Sequence, residues 1–164
     1  MEERIARVRT AMEEYFGTDW RRIDHALRVT TFADRLLADE PGDRELVLAT
    51  ALLHDIGIPE AERKYGSSAG NLQEAEGPPV ARAILSRLGY EERFIAEACA
   101  IIAAHHSPGE VETDNFRIIW DADWLVNLGD ECDTSDTSRT EAMIGKTFMT
   151  PAGSKIAREI YIKG

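Results

Sequence analysis

The sequence predicts an all-α protein, a single domain over residues 1–164 built from about six to eight helices. Three observations carry this expectation. Apolar residues recur three and four positions apart through most of the chain, the spacing of one helix face. Gly, Pro and short polar clusters interrupt these stripes where helices would end. No stretch alternates apolar and polar residues as a half-buried strand does. At 164 residues the chain can bury one sizeable core.

The elements follow in order. Residues 2–16 place Ile5, Val8, Met12, Tyr15 and Phe16 on one face, and Gly17 stops the run. Thr18 or Asp19 caps a second helix reaching about residue 38, with Ile23, Ala26, Leu27, Thr30, Ala33 and Leu37 as its stripe. His25 lies beside that stripe, and Arg28 shares its face. A third helix, residues 43–56, is apolar nearly all round, which places it at the centre of a bundle. Residues 57–73 are polar and rich in Gly and Ser. They read as a surface loop carrying Arg63 and Lys64, in preference to a functional lid. Pro78 and Pro79 open a helix that Gly89 closes. Another covers residues 91–105, with His105 and His106 continuing its apolar face. Residues 114–129 form the next, residues 130–139 read as an acidic loop, and a last helix follows residues 148–153.

Composition narrows the function classes. A hydrophobic fraction of 43% and a charged fraction of 30% are those of a globular protein in water. No apolar stretch reaches the length of a membrane span, and residues 1–5 lack the apolar segment of a secretion signal. Cys99 and Cys132 stand far apart with no metal-binding spacing, as reduced thiols do in a cytoplasmic protein. A net charge of −11 disfavours a nucleic-acid polymer as partner, because phosphate backbones require a basic surface. A small phosphorylated substrate remains compatible, since a bound divalent cation dominates its local field.

The chemistry is concentrated in three stretches. The apolar run at residues 46–53 drives directly into His54 and Asp55, and Gly57 and Pro59 then stop it. Burying an imidazole and a carboxylate is costly unless they are paired or bound to a metal. His25 offers a second imidazole, and Asp121-Ala122-Asp123 offers further carboxylates. His and Asp are ordinary ligands of divalent transition metals.

In this order the segments His25-Ala26-Leu27-Arg28-Val29, Ala51-Leu52-Leu53-His54-Asp55-Ile56-Gly57 and Asp121-Ala122-Asp123-Trp124-Leu125-Val126-Asn127 resemble the HD-domain superfamily of metal-dependent phosphohydrolases. The resemblance spans about residues 25–127. It implies an all-α fold and phosphoester hydrolysis at an ion held by His25, His54, Asp55 and Asp123. Asp123 is the ligand because Ala122-Asp123-Trp124-Leu125-Val126-Asn127 matches the family's A-D-x-L-x-N segment. Asp121 points about 200° round the helix from it, and is expected to support a ligand from outside or to stand as a surface charge. Four protein ligands fill a tetrahedral zinc site but leave two positions on an octahedral ion, which favours Mn, Fe, Co or Ni over Zn. Such an ion lowers the pKa of a bound water and yields a hydroxide nucleophile near neutral pH.

His54, Asp55, His105 and His106 are thus the candidate catalytic residues. Arg28, Lys64, His105 and His106 are the candidate contacts to substrate phosphate. The chain also departs from the family. Members holding two ions use a His before the glycine that matches Gly77, and residues 71–77 contain none, only Glu74 and Glu76 as carboxylates. One ion is therefore expected, and a two-metal, oxygenase-like enzyme is disfavoured. Some members place a general-base Glu one turn after the His-Asp pair, where this chain has Ile58 and Pro59. The alternative to an enzyme is a metal- or nucleotide-binding regulatory module, because function lives in the site and not in the fold.

Overall fold

The computed structural model describes residues 1–162, and every regular element in them is a helix. In order these are α1 (Glu2–Phe16), α2 (Trp20–Leu36), α3 (Arg44–Leu53), α4 (Ile58–Tyr65), α5 (Gly70–Arg87), α6 (Glu92–Ala104), α7 (Asp114–Glu131), α8 (Thr137–Thr147) and α9 (Pro151–Tyr161). Side-chain caps set many of the starts. Asp19, Asp43, Thr113, Asp136 and Thr150 each accept a hydrogen bond from a first-turn backbone N–H of α2, α3, α7, α8 and α9 respectively.

The all-α expectation holds, and α3 is the central element. All residues from Leu46 to Leu53 are buried, and the helix packs against α1, α2, α6 and α7. Each fully buried Leu or Val here contributes about 1.5–3 kcal/mol. That apolar sheath holds the end of α3, and with it His54 and Asp55, at a fixed point inside the molecule.

Two stretches differ from the sequence expectation. Residues 57–73 are not one loop. Pro59 sits in the first turn of α4, where its missing N–H costs nothing, so the residue read as a stop also opens a helix. Helix α5 starts at Gly70, and Pro78 and Pro79 lie inside it. Tertiary ties hold its first turns against the local propensity. The Glu74 carboxylate accepts from His106 N at 2.9 Å and from Ser107 Oγ at 3.0 Å. Nearby, Gly57 and Gly77 bring two backbones into contact: a Cβ on Gly57 would lie 2.5 Å from Gly77 N and 2.6 Å from Gln73 O. The second difference is α8. Only Thr140 and Ile144 of it are buried, too sparse a stripe to read from sequence.

No helix among the described residues is long and apolar enough to cross a membrane.

Candidate metal centre

The site begins with how two helices end. A helix leaves its last carbonyls without intrahelical partners. At the end of α3, the His54 ring turns back and Nδ1 donates to Ala51 O at 2.7 Å. At the end of α6, His105 does the same, its Nδ1 donating to Ile102 O at 2.6 Å. A carbonyl only accepts, so in both rings the Nδ1 proton is fixed and Nε2 is the atom presented to the interior. Both Nε2 atoms are fully buried and have no hydrogen-bond partner of good geometry.

Helices α2 and α7 supply the other groups. His25 Nε2 donates to Asp123 Oδ1 at 3.0 Å and lies 3.4 Å from Asp55 Oδ2. His54 Nε2 lies 3.3 Å from the same Asp123 oxygen and 3.4 Å from the same Asp55 oxygen. Four atoms from three helix segments therefore close a ring in which nitrogen and oxygen alternate. The electrostatics follow from that ring. Burial pushes the His54 imidazole toward the neutral form, but the Asp55 and Asp123 carboxylates outweigh it and carry its pKa up to about 10. Burial opposes the charge on both carboxylates as well. The neighbouring imidazoles overcome it and hold Asp55 and Asp123 well below the usual carboxylate range.

Asp55 faces two ways. Its Oδ2 belongs with His25 and His54, while its Oδ1 lies 3.3 Å from His105 Nε2. Asp55, His105 and His106 form a second group of three donors. Neither nearby glutamate joins it. Glu74 is committed to the turn at His106 and Ser107, and Glu76 pairs with Lys64. His106 Nε2 lies 3.0 Å from Gln73 Oε1, and that amide's own N–H₂ donates to Ser68 O at 2.6 Å. The amide thus presents its oxygen, and His106 Nε2 carries the proton. Burial lowers the His106 pKa, and His105 adds to the effect.

The first group fits a divalent cation. In this group the Ala51 carbonyl holds the His54 Nδ1 proton, so Nε2 is the atom that faces the other donors, and the outer hydrogen bond orients the ring as a ligand. Spacings of 3.0–3.4 Å between neighbouring donors match the ligand–ligand edges about an ion with bonds of roughly 2.1 Å, about 3.0 Å in an octahedron and about 3.4 Å in a tetrahedron. The buried Nε2 of His54, lacking any other hydrogen-bond partner, is the atom such an ion would satisfy.

The cluster opens into a cleft of about 460 Å³, a volume suited to a small ligand. His25, Asp55, Asp123 and His106 reach its surface, and Asn127, one turn beyond Asp123, lines it too. Arg28 also lines it, but its guanidinium is held by Asp130 at 2.8 and 3.4 Å. Lys64 corrects the sequence expectation. It does not line the cleft, and its ammonium lies 2.6 Å from Glu76 between α4 and α5.

Asp121 is a second correction. Its carboxylate is fully buried but supports no ligand of the cluster. It accepts from Met149 N and Thr150 N at 2.8 Å each and from Thr150 Oγ1 at 2.6 Å, fastening α7 to the start of α9. Burial raises its pKa despite these donors. A Cβ on Gly153 would run into the same carboxylate, so that glycine is part of the fastening. Sequence reasoning missed the Gln73–His106 and Glu74–Ser107 contacts and the cleft residues Trp20, Arg21 and Arg22. Trp20 carried one usable signal, a large aromatic beside the apolar stripe of α2 and not on it.

Comparisons with known proteins bear on the family and the fold. A family model described as HD domain matches residues 22–128. The chain is similar to a crystal structure described as a predicted HD superfamily hydrolase from an uncultured Thermotogales bacterium. The TM-score is 0.67 at 26% identity, covering 98% of this chain and 84% of that one. No curated protein matches the chain.

Proposed function

Since the chain belongs to the HD-domain family of metal-dependent hydrolases, we propose that it is a phosphohydrolase acting on a small phosphorylated metabolite. The observation that carries this reading is the alternating ring of His25, His54, Asp55 and Asp123 at the floor of an open cleft. These four residues would hold the cation. Four protein donors leave two positions on an octahedral ion, which favours Mn, Fe, Co or Ni over Zn. When bound, such a cation acidifies a water and polarises a phosphoryl oxygen.

The chain's own groups supply the rest. His105 Nε2 accepts protons, because its Nδ1 proton is committed to Ile102 O. It stands beside Asp55 Oδ1, on the far side of that carboxylate from His25 and His54. His106 lies at the cleft wall with its Nε2 proton directed to Gln73 Oε1, and an entering phosphate oxygen would compete with that amide for it. Arg28 offers a planar guanidinium at the same wall, and an entering phosphate would compete with Asp130 for its N–H groups.

The test is a screen of phosphate esters with Mn, Co, Ni, Fe and Mg added separately. Phosphate release from at least one metal and substrate pair is expected. Metal-dependent binding without release in any pair would replace this reading with the regulatory module.

A further inference from the structure

The lining of the cleft is uneven in charge and shape, and that unevenness describes the substrate. Three arginines and five carboxylates line it, an excess of two negative charges. One divalent cation cancels that excess. No positive surplus remains, so each further phosphate charge counts against binding, and the added charges of a triphosphate would meet a lining that includes Asp24, Asp130 and Glu131.

The arginines are not equivalent. Arg28 is paired with Asp130, and Arg22 lies 3.7 Å from both Asp19 and Glu62. Among the described residues Arg21 makes no ion pair. It stands one turn before His25 on the same face of α2. Next to it is Trp20, which lines the cleft and is 70% exposed, the most exposed of the large apolar side chains within the helices. His25 follows Trp20 by five positions, a rise of about 7.5 Å along the axis of α2. The first turn of α2 thus contributes to the cleft an exposed indole and, at the next position, a cation with no ion pair among the described residues, in the same cleft as the His-Asp cluster.

We infer that the substrate is a phosphomonoester whose leaving group carries a flat π-face, and that Trp20 is the residue that selects it by stacking. This rests on the phosphohydrolase reading for the chemistry at the cluster, but the stacking is measured by binding alone.

The experiment uses the full chain loaded with Mn. Phenyl phosphate, a nucleoside monophosphate, the matching triphosphate and glycerol phosphate are titrated by calorimetry, and tryptophan emission is followed in parallel. Both monophosphates with aromatic groups should bind about tenfold more tightly than glycerol phosphate. The triphosphate should bind more weakly than the monophosphate. The aromatic probes should quench tryptophan emission. W20L should abolish both the preference and the quench, W20F should retain part of the preference, and Y65L, at an exposed aromatic outside the cleft, should retain all of it. Trp20 is largely exposed, so W20L should fold, and circular dichroism checks this. Equal binding of phenyl and glycerol phosphate, no binding of either aromatic probe, or a preference that survives W20L overturns the inference. A Trp20-dependent preference without phosphate release would instead overturn the hydrolase reading and leave the stacking site standing.

Discussion

His25 Nε2 lies 3.0 Å from Asp123 Oδ1, although 98 positions separate the two residues. The contact joins α2 to α7 across the end of α3, and it is the edge of the donor ring contributed by neither His54 nor Asp55. The ring therefore depends on three helices holding their relative places. Its sensitivity to mutation should follow from that.

Asp123 and Asp121 test the proposed division between ligand and scaffold. Asp123→Asn removes a carboxylate from the ring and should strip metal and activity together, with some loss of stability because buried His54 loses one of its two carboxylate partners. Asp121→Asn puts an amide N–H₂ where three donors now converge. It should cost about 2 kcal/mol, seen as a fall of several degrees in Tm. Protein that remains folded should keep its metal. Metal content and thermal unfolding of both variants check this, and metal loss in Asp121→Asn with retention in Asp123→Asn would reverse the assignment.

Gly57→Ala should damage the site through packing alone. Gly57 has φ −78, so alanine can adopt its backbone, but the new methyl meets Gly77 N and Gln73 O. Helix α5 must move away from the His54–Asp55 turn. The cost should be about 1–3 kcal/mol, with weaker metal binding as the second sign. Chemical unfolding and metal titration of the variant measure both.

Metal loading should release protons. Without a cation, the Asp55 and Asp123 carboxylates hold His54 protonated at neutral pH, its pKa raised to about 10 against burial. A cation must displace the Nε2 proton. Apparent affinity should therefore rise with pH until the solution approaches that pKa, and fall as pH drops. At pH 7 about one proton should appear per ion bound. Calorimetry in buffers of different ionisation enthalpy counts it, and a count near zero would contradict the tautomer and charge assigned to His54.

Much of this was legible in the sequence, for identifiable reasons. The apolar run ending in His54 and Asp55 marks α3 as central because eight successive buried residues admit no solvent face. The order His25, His54-Asp55, Asp123 is carried by residue identity and needs no geometry. Asp121 was illegible because two of its three donors are the backbone N–H groups of Met149 and Thr150, a group that nearly every residue carries and that residue identity does not mark. The start of α5 was hidden for a similar reason. Its first turns contain Gly70 and precede two prolines, and tertiary contacts such as that of Glu74 with the turn at His106 hold them helical. Lys64 looked available because a cation in a polar stretch gives no sign of its pairing with Glu76.

The central claim is that His25, His54, Asp55 and Asp123 bind one divalent transition metal. Its most direct test is the metal content of the wild-type chain and of His54→Ala, each measured by elemental analysis after reconstitution. The account predicts about one equivalent in the wild type and almost none in His54→Ala, with both proteins folded. A wild-type chain that takes up no metal, or a His54→Ala chain that retains a full equivalent, would contradict it.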